Sequence, residues 1–87
     1  MCTYLSESVE LHAAAKGGER WFTVTRATAS VDHPSYSTDE HTLNLDFRNE
    51  AGGPAARVAV EVPVGEARRL LACLEVALAA FEGVAAG

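Results

Sequence analysis

The residues best suited to chemistry lie in one stretch, Asp32-His33-Pro34-Ser35-Tyr36-Ser37-Thr38-Asp39-Glu40-His41, where two of the three histidines stand among carboxylates. Imidazole and carboxylate ligands together suit a borderline divalent transition metal such as zinc, iron, copper or nickel. His33 and His41 are eight apart in the chain, so their rings converge only if the segment folds back on itself. Asp32 and Glu40 are the carboxylates placed to complete a metal shell with them. The competing reading is ordinary loop chemistry, since Asp-His-Pro is good turn material.

Cys2 is the next candidate. With Met1 removed it would carry an amine of pKa about 8 and a thiol of about 8.5 together. That pair is a bidentate metal ligand, or a nucleophile with its own base. Left internal, Cys2 is a small apolar residue opening the first strand. Asp46 and Arg57 form a third constellation, two opposite charges on the polar faces of successive strands. They are expected to pair across the hairpin, a contact that explains itself structurally. A functional version has Arg57 clamping an anionic ligand over the open face.

Elements of regular structure must position these groups. Lys16-Gly17-Gly18-Glu19 separates extended runs at about 3–14 and 21–31, the second rich in Thr and Val, and reads as a hairpin turn. Residues 42–47 alternate, with Leu43, Leu45 and Phe47 opposed to Thr42, Asn44 and Asp46. Residues 57–62 do the same, setting Val58, Val60 and Val62 against Arg57, Ala59 and Glu61. Period-two alternation gives each strand one buried face and one wet or partner-covered face. A glycine-rich loop, 49–54, joins these two strands, and Pro63 ends the fourth.

From Val64 the period becomes helical, with Ala67, Leu70, Leu71, Leu74, Ala77, Leu78 and Phe81 on one stripe. Glu66 suits the helix start, and Gly83 is the expected stop, leaving 83–87 as a tail. The expected fold is α+β: a four-stranded antiparallel meander with one C-terminal helix packed on one face, ββββα, forming a single domain over residues 1–87. Trp21 and Phe22 are expected at the sheet–helix interface, and Cys73 in the core. His12 has no clustered partner in the sequence.

Composition narrows the class. The chain has 87 residues, 48% of them apolar, and a formal net charge of -5. Seven scattered basic residues make no stripe that could displace counterions from a nucleic acid, and an anionic membrane surface would repel the chain. No apolar run is long enough to span a bilayer, and the N-terminus lacks the basic start and apolar centre of a secretory signal. Two cysteines are too few for a disulfide scaffold, so a reduced, cytoplasmic setting is expected. At this length a self-contained core is marginal, and a homodimer is expected. None of the established catalytic motifs occurs in the sequence.

Met1-Cys2-Thr3-Tyr4, Trp21-Phe22, Asp32-His33-Pro34, the run Glu40 to Phe47 and Arg57-Val58-Ala59-Val60-Glu61, in this order, resemble a family of short, uncharacterised actinobacterial proteins. The resemblance covers nearly the whole chain and transfers no mechanism. It implies a small-molecule role near natural-product biosynthesis. It also singles out Cys2, Tyr4, Asp32, His33, His41, Asn44, Asp46, Arg57 and Glu61. Three readings follow. In the first, His33 and His41 bind a divalent metal with Cys2, Asp32 or Glu40, or a small ligand is held by Arg57, Asn44 and Tyr4. In the second, a metal-free isomerase or cyclase uses His33 or His41 with Asp46 or Asp32 as acid and base. In the third, the polar signature organises an oligomeric interaction module.

Overall fold

The computed structural model describes residues 5–33, 36, 38 and 41–86. Among them the chain forms β1 (Leu5–Gly17), β2 (Arg20–Asp32), β3 (Thr42–Arg48), a short 3-10 turn (Glu50–Gly52), β4 (Arg57–Pro63) and α1 (Val64–Ala86). The strands make one antiparallel sheet in the order β1-β2-β3-β4. This is the expected ββββα architecture.

The first hairpin turns at Gly18-Glu19, with Gly17 paired to Arg20. Gly18 has φ of 64°, a left-handed conformation that glycine takes without the Cβ clash other residues suffer. β1 and β2 run for 13 residues each, while β3 and β4 have 7. The first hairpin therefore overshoots the second. A bulge after Glu10 shifts the β1–β2 register, and a bulge sharpens local twist. The overshooting tip turns Phe22 and Val24 inward and leaves Trp21, Thr23 and Thr25 exposed. A methyl built on Gly17 would lie 3.4 Å from the Phe22 ring and 3.8 Å from the Val58 side chain, so the tip packs back onto the start of β4.

This placement corrects the expectation for Trp21 and Phe22. Trp21 is 68% exposed at the hairpin tip, and Phe22 packs beside Gly17. β2 carries both past the end of β3, and neither lines the groove between sheet and helix.

The second hairpin is closed by its loop. Asn49 caps the 3-10 turn, its side chain accepting from the Ala51 amide at 3.0 Å, and the Asn49 amide donates to the Ala56 carbonyl at 3.0 Å. Arg26 ties this loop to the sheet, donating to Glu50 at 3.2 Å while lying 3.6 Å from Glu10 of β1.

Helix α1 starts directly after Pro63. Its first three turns place Val64, Ala67, Leu70, Leu71 and Leu74 opposite Val31, Leu43 and Leu45 of the sheet, and an apolar groove of about 370 Å³ lies between. Beyond that the helix leaves the sheet, and Leu78 and Phe81 are 61% and 68% exposed. Cys73 is consequently an exposed free thiol rather than a core residue. The helix also passes through Gly83, which keeps a negative φ and so does not act as a left-handed cap. Among the described residues only Val24, Ala56 and Thr42 are buried.

Candidate functional site

Strand pairing brings the polar positions of β2, β3 and β4 onto one face. Thr28 pairs with Asp46, Ser30 with Asn44, Asn44 with Glu61, Asp46 with Ala59, and Arg48 with Arg57. A cleft of about 790 Å³ opens over this face, lined by these residues together with Tyr36 from the β2–β3 loop. Tyr36 is held against the sheet by a hydrogen bond from its amide to Glu61 Oε1 at 3.0 Å. That volume lies in the range of small-molecule sites, about 300–1,000 Å³.

Asp46 is the electrostatic centre of the floor. Arg57 reaches its Oδ2 with both Nε and Nη2, each at 2.5 Å. Arg48 Nη1 stands 3.5 Å from Oδ1 and donates to Thr28 Oγ1 at 3.3 Å. The Thr28 hydroxyl in turn shares a hydrogen bond with Ser8 at 2.9 Å. The Asp46 side chain is only 17% exposed and that of Arg57 is 55% exposed, so the carboxylate is the anchor and the guanidinium is the reachable group. The hydrogen bond to Asp46, and then its charge, hold Arg57 above its ordinary pKa against a small opposing effect of burial. Arg57 is therefore cationic across the whole working range of pH. Arg48 and Arg57 are balanced in the cleft by Asp46 and Glu61, and of the two cations Arg57 is the more exposed.

The histidines form a second feature. Their rings stack with centroids 4.8 Å apart and an interplanar angle of 27°, so the two histidines do converge. Asp32, last residue of β2, accepts from the His33 amide at 2.7 Å. Thr42, the first residue of β3 and fully buried, donates to Asn44 Oδ1 at 2.6 Å. Both contacts lie at the loop stem, where β2 ends and β3 begins. The imidazoles belong to that stem and are not among the residues lining the cleft.

The two halves of the expected site thus share one end of the sheet but remain separate. Asn44, Asp46, Arg57 and Glu61 line the cleft, while Asp32, His33 and His41 build the stem. Cys2, Tyr4 and Glu40 lie outside the described residues. Among the described residues there is no group of three His, Cys, Asp or Glu side chains that could hold a metal ion. Arg48, Thr28, Ser30 and Tyr36 also line the cleft, beyond the residues the sequence marks. For three of them the signal was present as parity, since Arg48 continues the Asn44-Asp46 face and Thr28 and Ser30 share one face of β2.

A model of a family of unknown function matches residues 1–86, which is nearly the full chain. The chain belongs to the family of unknown function DUF6295. No curated protein and no solved structure shows significant similarity to this DUF6295 member. Among the described residues, no helix is long and apolar enough to cross a membrane.

Proposed function

We propose that the chain binds a small anionic organic molecule in the polar-face cleft. The observation that carries this reading is the half-exposed Arg57 guanidinium, held rigidly by Asp46 at the wall of a cleft of about 790 Å³. A guanidinium fixed by one carboxylate keeps outward N–H groups for a second acceptor, and a ligand carboxylate or phosphate fits that fork. Asn44, Ser30, Thr28 and Glu61 add hydrogen-bonding groups on the same wall. In this reading Asp46 positions Arg57 and does not act as a base. The setting we assign is cytoplasmic small-molecule metabolism of the natural-product kind, consistent with the free thiol of Cys73.

The test is a titration of the labelled protein with inorganic phosphate and a panel of short carboxylic acids, followed by amide chemical shifts. Shifts centred on Ser30, Asn44, Ala59 and Glu61, weakened at least tenfold in Arg57→Gln, are expected. Shifts absent for every probe, or indifferent to Arg57→Gln, would sink the proposal.

The stacked imidazoles favour a second reading, in which one divalent transition metal is held by His33 and His41 with a further ligand from Asp32, Glu40 or Cys2. Its support is that two histidines eight residues apart are brought within one ring's reach. Calorimetric titration with zinc, nickel or copper decides it. Stoichiometric binding that disappears in both His33→Ala and His41→Ala is the expected result for a metal site.

A further inference from the structure

We infer that a second copy of this chain covers the apolar face, with the two α1 helices packed antiparallel between the two sheets. This inference is independent of the cleft, which lies on the opposite face of the sheet and stays open to solvent.

The first support is surface area. A folded monomer of this mass exposes about 4,900 Å² by the usual size scaling. This chain, of 9.2 kDa, exposes 6633 Å². The excess is about 1,700 Å² per chain, roughly twice what each side of a standard interface buries and well into the range of obligate dimers. The radius of gyration agrees, at 14.8 Å against about 12 Å expected for this length.

The second support is where that surface lies. Val64, Ala67, Leu71, Leu74, Leu78 and Phe81 are spaced alternately by three and four residues, the seam of a helix that pairs with another helix. Exposure along this seam climbs from 47% at Leu71 to 52% at Leu74, 61% at Leu78 and 68% at Phe81. The sheet contributes Leu5 and Val9, which are also exposed. The groove between sheet and helix is open along the first part of this seam, from Val64 to Leu74. A two-fold pair fills both gaps with one element, because each α1 enters the groove of the other protomer. An isologous contact of this kind closes on itself and leaves no sticky surface for further growth.

The third support is charge. Arg68 and Arg69 sit early in the helix, Glu75 and Glu82 late, and no basic residue occupies the last turn. Apart from Glu66 at the start, that order opposes the helix dipole, which favours anions early and cations late. An antiparallel partner removes the conflict. Arg68, Glu75 and Glu82 share one flank of the seam, at seven-residue spacing. Antiparallel packing brings equivalent flanks together. When Leu71 packs in the same layer as Leu74 of the partner subunit, Arg68 faces Glu75 of the partner subunit, and two-fold symmetry makes this contact twice.

The experiment is sedimentation equilibrium on the full chain, native and charge-swapped. The native protein is expected as a dimer at micromolar concentration. Arg68→Glu and Glu75→Arg should each weaken dimerisation by about tenfold or more, and the double variant should recover most of that loss. These exposed substitutions leave the seam's apolar residues intact, so far-ultraviolet circular dichroism should be unchanged at high concentration. A folded monomer would overturn the inference, as would association only with a different protein. A dimer indifferent to all three variants would overturn the antiparallel helix pairing.

Discussion

Asp46 does two jobs with one carboxylate. It neutralises Arg57 through Oδ2 and lies near Arg48 through Oδ1, where two arginines stand directly opposite each other across β3 and β4. Facing like charges on adjacent strands are destabilising, so the aspartate is what makes this face tolerable. Asp46→Ala should therefore destabilise the protein by about 1–2 kcal/mol, more than the usual exposed ion pair contributes. Arg57→Gln removes one cation and leaves Asp46 beside Arg48, so its effect should stay under about 1 kcal/mol. Urea denaturation of both variants checks the order. Equal losses would show that repulsion between the arginines is not the controlling factor. Only the Asp46–Arg57 contact among these was legible from spacing. Arg48 joins the site because β3 keeps its parity one position further than the alternating apolar residues mark.

At the scale of elements, the glycines separate local from tertiary constraint. In the β3–β4 loop, a methyl added at Gly52 would stand 2.8 Å from Ala56 Cβ, inside the contact that closes the hairpin. Gly52→Ala should cost about 1–3 kcal/mol through that overlap. Gly83 has nothing within 4 Å of a built Cβ and keeps helical backbone. Gly83→Ala should stabilise by about 0.5–1 kcal/mol, the usual gain in helix propensity. Thermal denaturation of the two variants should move in opposite directions, and a shared sign would contradict this account. The same reasoning explains why Gly83 is a poor marker of the helix end. A glycine stops a helix only when the chain needs a left-handed turn there, and α1 continues through Gly83 to Ala86.

For the molecule as a whole, two described residues are fully buried, Val24 and Thr42, and Ala56 keeps 9% exposure. So small an interior cannot offset the conformational entropy of ordering a chain of this size, which sums to about 1 kcal/mol or more per residue. Folding and dimerisation should thus be one transition. The melting temperature is expected to rise by a few degrees for each tenfold increase in protein concentration, by mass action. Calorimetry over two decades of concentration measures this directly, and a concentration-independent melt would mean that the monomer carries its own stability. With both apolar faces turned inward, the two polar clefts face outward on opposite sides, so ligand access and assembly do not compete.

Most of what neighbours a few residues apart govern is legible in the chain, the helix end at Gly83 excepted. The alternation in 42–47 and 57–62 dictated strands, the change of period after Pro63 dictated a helix, and Gly17-Gly18 dictated a hairpin. Opposite charges at Asp46 and Arg57 were enough to predict their pairing. Only the tertiary structure decided which distant groups meet. The stacking of His33 on His41, the tie from Tyr36 to Glu61 and the overshoot that carries Trp21 to an exposed tip depend on strand length and twist. So does the exposure of Cys73, since the path of α1 away from the sheet follows from how the chain leaves β4. Periodicity reports which side of an element is apolar. It does not report what covers that side, because the covering surface lies far along the chain or on another copy of it.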